Sequence, residues 1–283
     1  MKRRFYRRVR RRVPALKKAE GQGQRQAQAQ SNGLIIVNDD LFDKFNPSML
    51  RLGDIKTPCQ EKEAIAAVFD LSGFTNFCNQ ADAYLAIPSF LNSFYEWFFS
   101  SIVYGLTDDD GEDTRFWAEL PMLVKFLGDG LLVVWNAHSM NDEQICRLAA
   151  IIYNICGAYQ EDFYPQIKME INKPPDVLRC GMARGKVFSI GNGSDYIGHC
   201  INTASRLSSL SPLTFCFPRR GFPIQEYLSP QYTQLFVSKY ISIRGVGDDE
   251  PIWVAKEEFN KLTAKQRMQY RSVENGIAKV VAV

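Results

Sequence analysis

Histidine is nearly missing from this chain: 283 residues contain two, His138 and His199. That scarcity argues against a histidine-rich metal centre and against a serine–histidine triad. Cysteine is present seven times, an odd number with no CxxC spacing. Such usage excludes a disulfide framework or a zinc knuckle and points to a reducing compartment. Long apolar runs are also lacking. No stretch approaches the ~18 residues that a membrane-crossing helix needs, and the N-terminus has no apolar signal core. Together these absences place the expected address in the cytoplasm.

Acid is scarce at one end. Residues 1–33 carry eleven Lys and Arg and a single acid, Glu20, while the other 250 residues hold 23 bases and 30 acids. The net charge of +3 therefore hides a basic arm on a body of about −7. Phe5, Tyr6, Val9, Val13 and Leu16 recur loosely on one helical face of the arm. GQGQRQAQAQSNG at 21–33 reads as a polar tether. Two readings stand for the arm: a disordered solubilising tail, or a segment that touches anionic membrane or nucleic acid.

What is present from Leu34 onward is globular. A hydrophobic fraction of 46% and an aromatic fraction of 12% suffice for an ordinary core. Ala64–Phe69 reads as a buried strand. Thr75 to Gly105 reads as an aromatic-rich helical stretch broken or kinked near Pro88. An acidic loop follows at Asp108–Asp113, then hairpin strands at Met122–Leu127 and Leu131–Trp135, then a helix over Asp142–Glu161. Val177–Ala183 and Lys186–Ile190 are expected as two strands turning at Gly185. Ile197–Leu210 reads as a helix, Leu235–Arg244 and Pro251–Ala255 as strands, and the C-terminus as a polar helix. The order β-α-β-β-α-β is that of an α+β, ferredoxin-like split βαβ plan with additions.

Two aspartates stand where hydrophobic runs stop. Asp70 closes the strand in VFDLSGFT, and Asp129 sits in the hairpin tip of KFLGDG. Carboxylates at the ends of adjacent buried strands can hold two divalent cations against a phosphate chain, with Mg²⁺ or Mn²⁺ suited to hard oxygen ligands. Each has an ordinary alternative, a helix cap for Asp70 and a tight turn for Asp129. After Asp70, Ser72–Gly73–Phe74–Thr75 enters a helix and offers backbone N–H groups to phosphate. Asn202 and Arg206 lie four apart on an expected helix and so share a face. Arginine suits an anionic phosphorane and asparagine a ribose; a solvated polar face is the alternative. Lys125 lies on the same strand face as Asp129 by the two-residue period. With Asp195 it forms a donor and acceptor able to read the edge of a base, unless the two are merely a strand-edge charge and a turn former. Phe126, or another nearby aromatic, is expected either to shorten a base pocket or to be core.

FDLSGFT, KFLGDG, GMARGKVFSIGNG and DYIGHCINTASRL resemble, in order, the signatures of class III nucleotidyl cyclases, the adenylyl and guanylyl cyclase superfamily. The resemblance spans about Glu61–Val254. It implies a catalytic domain over 61–256, preceded by a lead-in segment at 34–60 and followed by a helical tail at 257–283. It further implies a head-to-tail homodimer with shared sites and two divalent cations. By motif match, Asp70, Asp129 and the Leu71 carbonyl become metal ligands. Asn202 and Arg206 become the ribose-orienting and transition-state residues, Lys125 and Asp195 the base readers, and Arg244 a triphosphate contact. Within the superfamily, FDLSGFTNFCNQ, SFLNSFYEWFF and KFLGDGLLVVW are most similar to stand-alone pyrimidine cyclases of bacterial antiphage signalling. That likeness implies UTP, then CTP, as substrate and a toxic effector that senses the cyclic product. ATP, or a silent nucleotide-binding module, is the alternative.

Overall fold

The computed structural model describes residues 46–109, 114–274 and 277–279. The expected arm and tether at 1–33, the first part of the lead-in segment (34–45) and the centre of the acidic loop (110–113) lie outside the described residues. The chain divides into Met1–Met49 and Leu50–Val283. Of the first unit, residues 46–49 are described, and a helical turn spans Pro47–Leu50; the described strands and longer helices all belong to the second.

Strand β1 (Glu61–Ser72) has neighbours on both faces. Ile65, Ala67, Phe69 and Leu71 join a large aromatic core, while Ala64, Ala66 and Val68 join a smaller one. Double-sided burial is why its apolar run shows no alternation in sequence. By the same two-residue period Asp70 belongs to the second face.

Helices α1 (Phe74–Cys78) and α2 (Ala83–Leu106) follow. Where a break or a kink is expected near Pro88 the helix is unbroken, and the chain leaves helix instead at residues 79–82. Pro88 sits inside α2, and Tyr84, whose carbonyl would have met the missing N–H, is 75% exposed. Water can satisfy that carbonyl, so the helix continues. Phe90, Phe94 and Phe98 of α2 form the inner stripe, with the Phe98 ring edge-on to Phe69 of β1 at 4.8 Å.

Strands β2 (Thr107–Asp109) and β3 (Thr114–Phe116) pair where an acidic loop is expected. There Asp108 accepts from both terminal nitrogens of Arg147. Strands β4 (Leu123–Phe126) and β5 (Gly130–Asn136) make the expected hairpin. Helix α3 (Asp142–Ala158) opens with a reciprocal capping box between Asn141 and Gln144. It passes through one wider turn, Tyr159–Phe163, into α4 (Tyr164–Glu170).

Strand β6 (Val177–Ile190) is one strand of 14 residues, not two strands turning at Gly185. Gly185 stays in the ladder opposite Ala64. A Cβ there would lie 3.4 Å from that of Cys200, so the glycine serves the close approach of a helix. That helix is α5 (His199–Ser208), reached through β7 (Asp195–Ile197) and followed by β8 (Phe215–Pro218). The two strands are too short to register as periodic segments in the sequence.

The chain continues through α6 (Ile224–Tyr227), α7 (Pro230–Thr233), β9 (Phe236–Ile243) and β10 (Gly247–Ala255). The tail expected to be helical holds two short helices, α8 (Lys256–Lys261) and α9 (Ala264–Arg267). It then turns into β11 (Tyr270–Glu274) and β12 (Ile277–Lys279). β11 pairs with β9, because the otherwise open sheet edge supplies the hydrogen bonds its backbone needs.

The sheet runs β12-β11-β9-β10-β8-β6-β1-β5-β4, with β7 on β6. Every pair is antiparallel except β6 with β8. Its segment β6-β1-β5-β4, with α2 and α3 as crossovers, is a ferredoxin-like βαββαβ unit, as the sequence order indicates. No described helix is long and apolar enough to cross a membrane.

Candidate active site

The β1–β5 ladder positions the two aspartates. Asp70 stands opposite Gly130, and the Leu71 N–H donates to the Asp129 carbonyl at 2.8 Å. A Cβ on Gly130 would come within 1.9 Å of the Phe69 carbonyl oxygen, so only glycine lets the tip close this tightly. Gly128 takes φ +101° to complete the turn. Asp70 and Asp129 therefore flank one backbone junction at the abutting ends of two neighbouring strands.

Asp70 caps no helix. The residue preceding α1 is Gly73, at φ 83° and with no side-chain cap. The carboxylate of Asp70 faces Arg179, its cross-strand partner on β6. Oδ2 accepts from Nε at 3.0 Å and also from Nη2. The side chains of Arg179 and Asp70 are 18% and 25% exposed, so the pair is largely shielded from water. Sequence reasoning missed Arg179. The available signal was a charge inside the apolar strand VLRCGMA, which a core tolerates only with a counter-ion.

Lys125 and Asp195, seventy residues apart, meet directly as an ion pair. Lys125 stands opposite Leu132, which stands opposite Val68, so it shares the sheet face of Asp70. The nearly buried Asp195 also accepts from the Tyr196 N–H at 2.9 Å. Phe126 projects to the other face, edge-on to Tyr95 at 6.3 Å. Strand alternation thus removes it from any slot at Lys125.

Asn202 and Arg206 share the exposed side of α5. Among the described residues neither side chain has a hydrogen bond or ion pair. The opposite side of α5 buries Cys200, Thr203, Ala204 and Leu207. Its approach to β6 is set by Gly181, where a Cβ would lie 2.1 Å from the Ala204 carbonyl oxygen. Burial pushes the Cys200 thiol up to about 11 and that of Cys146 up to about 12. Neither is a thiolate nucleophile at neutral pH.

Two expected residues are placed differently. Phe74 is buried in the aromatic core against Phe77 and Phe90, so its side chain is not available to a substrate; Thr75 beside it is exposed. Arg244 is exposed in the β9–β10 turn. β10, β8 and β6 lie between β9 and β1 in the sheet, so the fold does not bring Arg244 to Asp70 through the sheet.

No family model and no curated protein sequence matches this chain. Solved structures match it by fold. The guanylyl cyclase Cya2 superposes with a TM-score of 0.53 at 17% identity, over 70% of this chain and 94% of that one. The adenylyl cyclase CyaB from P. aeruginosa gives a TM-score of 0.51 at 15% identity, over 70% of this chain and 95% of that one. The chain has the α+β fold of these nucleotidyl cyclases.

Proposed function

We propose that the chain is a nucleotidyl cyclase, with 61–256 as its catalytic domain. It converts a nucleoside triphosphate to the 3′,5′-cyclic nucleotide and pyrophosphate. The observation that carries this reading is the β1–β5 junction, which sets two aspartates at adjoining strand ends on the fold of known cyclases. UTP is the favoured substrate and CTP the next, on the motif likeness to pyrimidine cyclases. The product would serve as a second messenger to an effector in antiphage defence. ATP is the second reading, favoured by the Lys125–Asp195 pair, which resembles the adenylyl type.

The residues fit divalent cations completed by substrate. Among the described residues no three His, Cys, Asp or Glu side chains gather as a metal site. Asp70, Asp129 and the Leu71 carbonyl supply only part of a coordination shell. That partial shell suits Mg²⁺ or Mn²⁺, which keep places for water and phosphate oxygens. When bound, such ions lower the pKa of the ribose 3′ hydroxyl and offset charge on the triphosphate.

The protein's own residues do the remaining work. Lys125 and Asp195 separate to take the edge of the base, the ammonium donating and the carboxylate accepting. Asn202 orients the ribose. As the 3′ oxygen attacks the α-phosphorus in line, Arg206 donates to the phosphoryl oxygens, an effect worth ~3 kcal/mol for a well-placed donor. Thr75 and the Phe74 backbone at the start of α1 contact the triphosphate, and Arg244, which the sheet holds away from Asp70 of its own chain, serves as a further cation from the partner copy. Asn202 and Arg206, unpaired among the described residues, suit a homodimer in which one copy's α5 faces its partner's aspartates.

Incubating the purified protein with Mn²⁺ and each of the four ribonucleoside triphosphates tests this directly. The expected result is one cyclic nucleotide with equimolar pyrophosphate, abolished by Asp70→Asn. No cyclic product from any substrate would overturn the reading and leave a nucleotide-binding module without turnover.

A further inference from the structure

Asp70 is the residue on which the metal reading leans most, yet in the folded chain its carboxylate is already engaged. Arg179 stands directly across the β1–β6 ladder from it. Two guanidinium nitrogens converge on a single oxygen, Oδ2, with Nε at 3.0 Å. Both side chains are largely shielded from solvent, so water screens the pair little. Ladder register fixes both backbones, and the pairing therefore does not depend on a loop.

We infer that Arg179 is an internal competitor of the divalent cation at Asp70. Its guanidinium is the resting counter-ion of the nucleotide-free chain, and it sets how weakly that chain binds metal. This rests on the reading of Asp70 as a metal ligand. Two features of the pair carry it. First, an arginine spending two donors on one oxygen covers the directions from which a cation would approach that oxygen. Second, a cation bound to the same carboxylate stands within a few ångströms of a fixed positive charge, and like charges in a shielded site repel strongly. Asp129, whose side chain has no hydrogen bond or ion pair among the described residues, has no such rival. The two aspartates therefore differ: Asp129 is open to a cation, whereas Asp70 offers only Oδ1, beside a fixed guanidinium, until its arginine leaves.

This arrangement has a functional consequence. Free metal alone fills the site only weakly, and a polyanionic substrate that draws the guanidinium away makes Asp70 fully available as it arrives. Metal and substrate then assemble together rather than in sequence. The folded chain is held neutral at Asp70 between turnovers, which also keeps a largely buried carboxylate from standing unpaired.

The test is Mn²⁺ binding without nucleotide, read from the loss of the free-ion electron paramagnetic resonance signal. Wild type, Arg179→Met, Arg179→Lys and Asp70→Asn are compared. An opposite charge at this distance holds a carboxylate against a competing cation by tenfold or more, so Arg179→Met is expected to bind Mn²⁺ about tenfold more tightly than wild type. Arg179→Lys, which keeps the charge and loses the paired donors, falls between them and serves if the Met variant does not fold. Asp70→Asn binds more weakly than wild type. If Asp70→Asn weakens binding while Arg179→Met and Arg179→Lys match wild type or bind more weakly, the competition is refuted and the metal reading survives. If Asp70→Asn binds as wild type does and Arg179→Met binds no more tightly, or if no variant binds Mn²⁺, Asp70 is not a metal ligand and both ideas fall.

Discussion

Gly130 shows how much a single position controls. The residue needs no unusual backbone angle; it is glycine because the Phe69 carbonyl occupies the space where a Cβ would be. Gly130→Ala is expected to push β5 off the end of β1, costing about 1–3 kcal/mol by overpacking. The melting temperature should fall, and cyclase turnover should fall further, because the displaced segment is the one that carries Asp129. Equal activity and stability in the alanine variant would show that the junction is not as tight as described. At the same scale, two ion pairs that the sequence could not show, Asp70 with Arg179 and Lys125 with Asp195, decide the resting charge of the site. A residue's neighbours across a ladder depend on register, and register is a property of two strands at once.

Among the elements, α2 carries the site without touching it. Its Phe90–Phe94–Phe98 stripe meets Phe69, Tyr159 and Phe163, and this wall of rings backs the strand that ends in Asp70. A different element controls a pH effect. Glu258 of α8 accepts from the Thr214 N–H at 2.7 Å and from its hydroxyl, and burial raises its pKa above the ordinary 4.5. A carboxyl whose pKa is raised by folding favours the folded state most when protonated. Its contribution is therefore full below about the ordinary value of 4.5 and is lost as the pH rises through the raised one. Compared with Glu258→Gln, which stays neutral, wild type is expected to lose stability as the pH is raised from 4.5 toward neutrality. Denaturant unfolding of both proteins across that range checks the sign. A difference between them that stays flat with pH would refute it.

Several elements were readable in advance for clear reasons. β1, the β4–β5 hairpin and α5 have long apolar or strongly patterned segments bounded by Gly or Asp, and they appear within a few residues of their expected limits. The single strand β6 was not, because glycine signals a turn and a close helix approach alike. At Gly185 it is the approach of Cys200 that matters. The C-terminal strands were missed because β11 joins the sheet by pairing with β9, a partner that local pattern does not reveal. Of the candidate site, Lys125 and Asp195 stand out in the sequence as a donor and an acceptor, but their direct ion pair does not. Phe74 turned out to be core and Phe126 lies on the wrong face.

Taken as a whole, the molecule is expected to act as a pair. One chain carries both the aspartates and the Asn202–Arg206 pair, and the latter is exposed and without a partner among the described residues. Asp70→Ala and Arg206→Ala, each inactive alone, should recover part of the activity when mixed, since one of the two interfacial sites then has every group. Recovery that never exceeds the sum of the separate variants, with dimers intact, would exclude shared sites. The charge asymmetry leads to a separate expectation. Removing residues 1–33 takes away eleven bases and one acid. The remaining chain should turn over substrate as before but lose any salt-sensitive attachment to anionic lipid vesicles. A shortened protein without turnover would give the arm a catalytic role.

The amino-acid sequence by itself determined the α+β plan, the strand-ending aspartates and the helical spacing of Asn202 and Arg206, because each follows from local pattern and period. Tertiary structure alone decided which charges neutralise one another, which aromatic faces the core, and how the last strands close the sheet edge. Those outcomes depend on register between strands distant in the chain, and no local pattern contains that information.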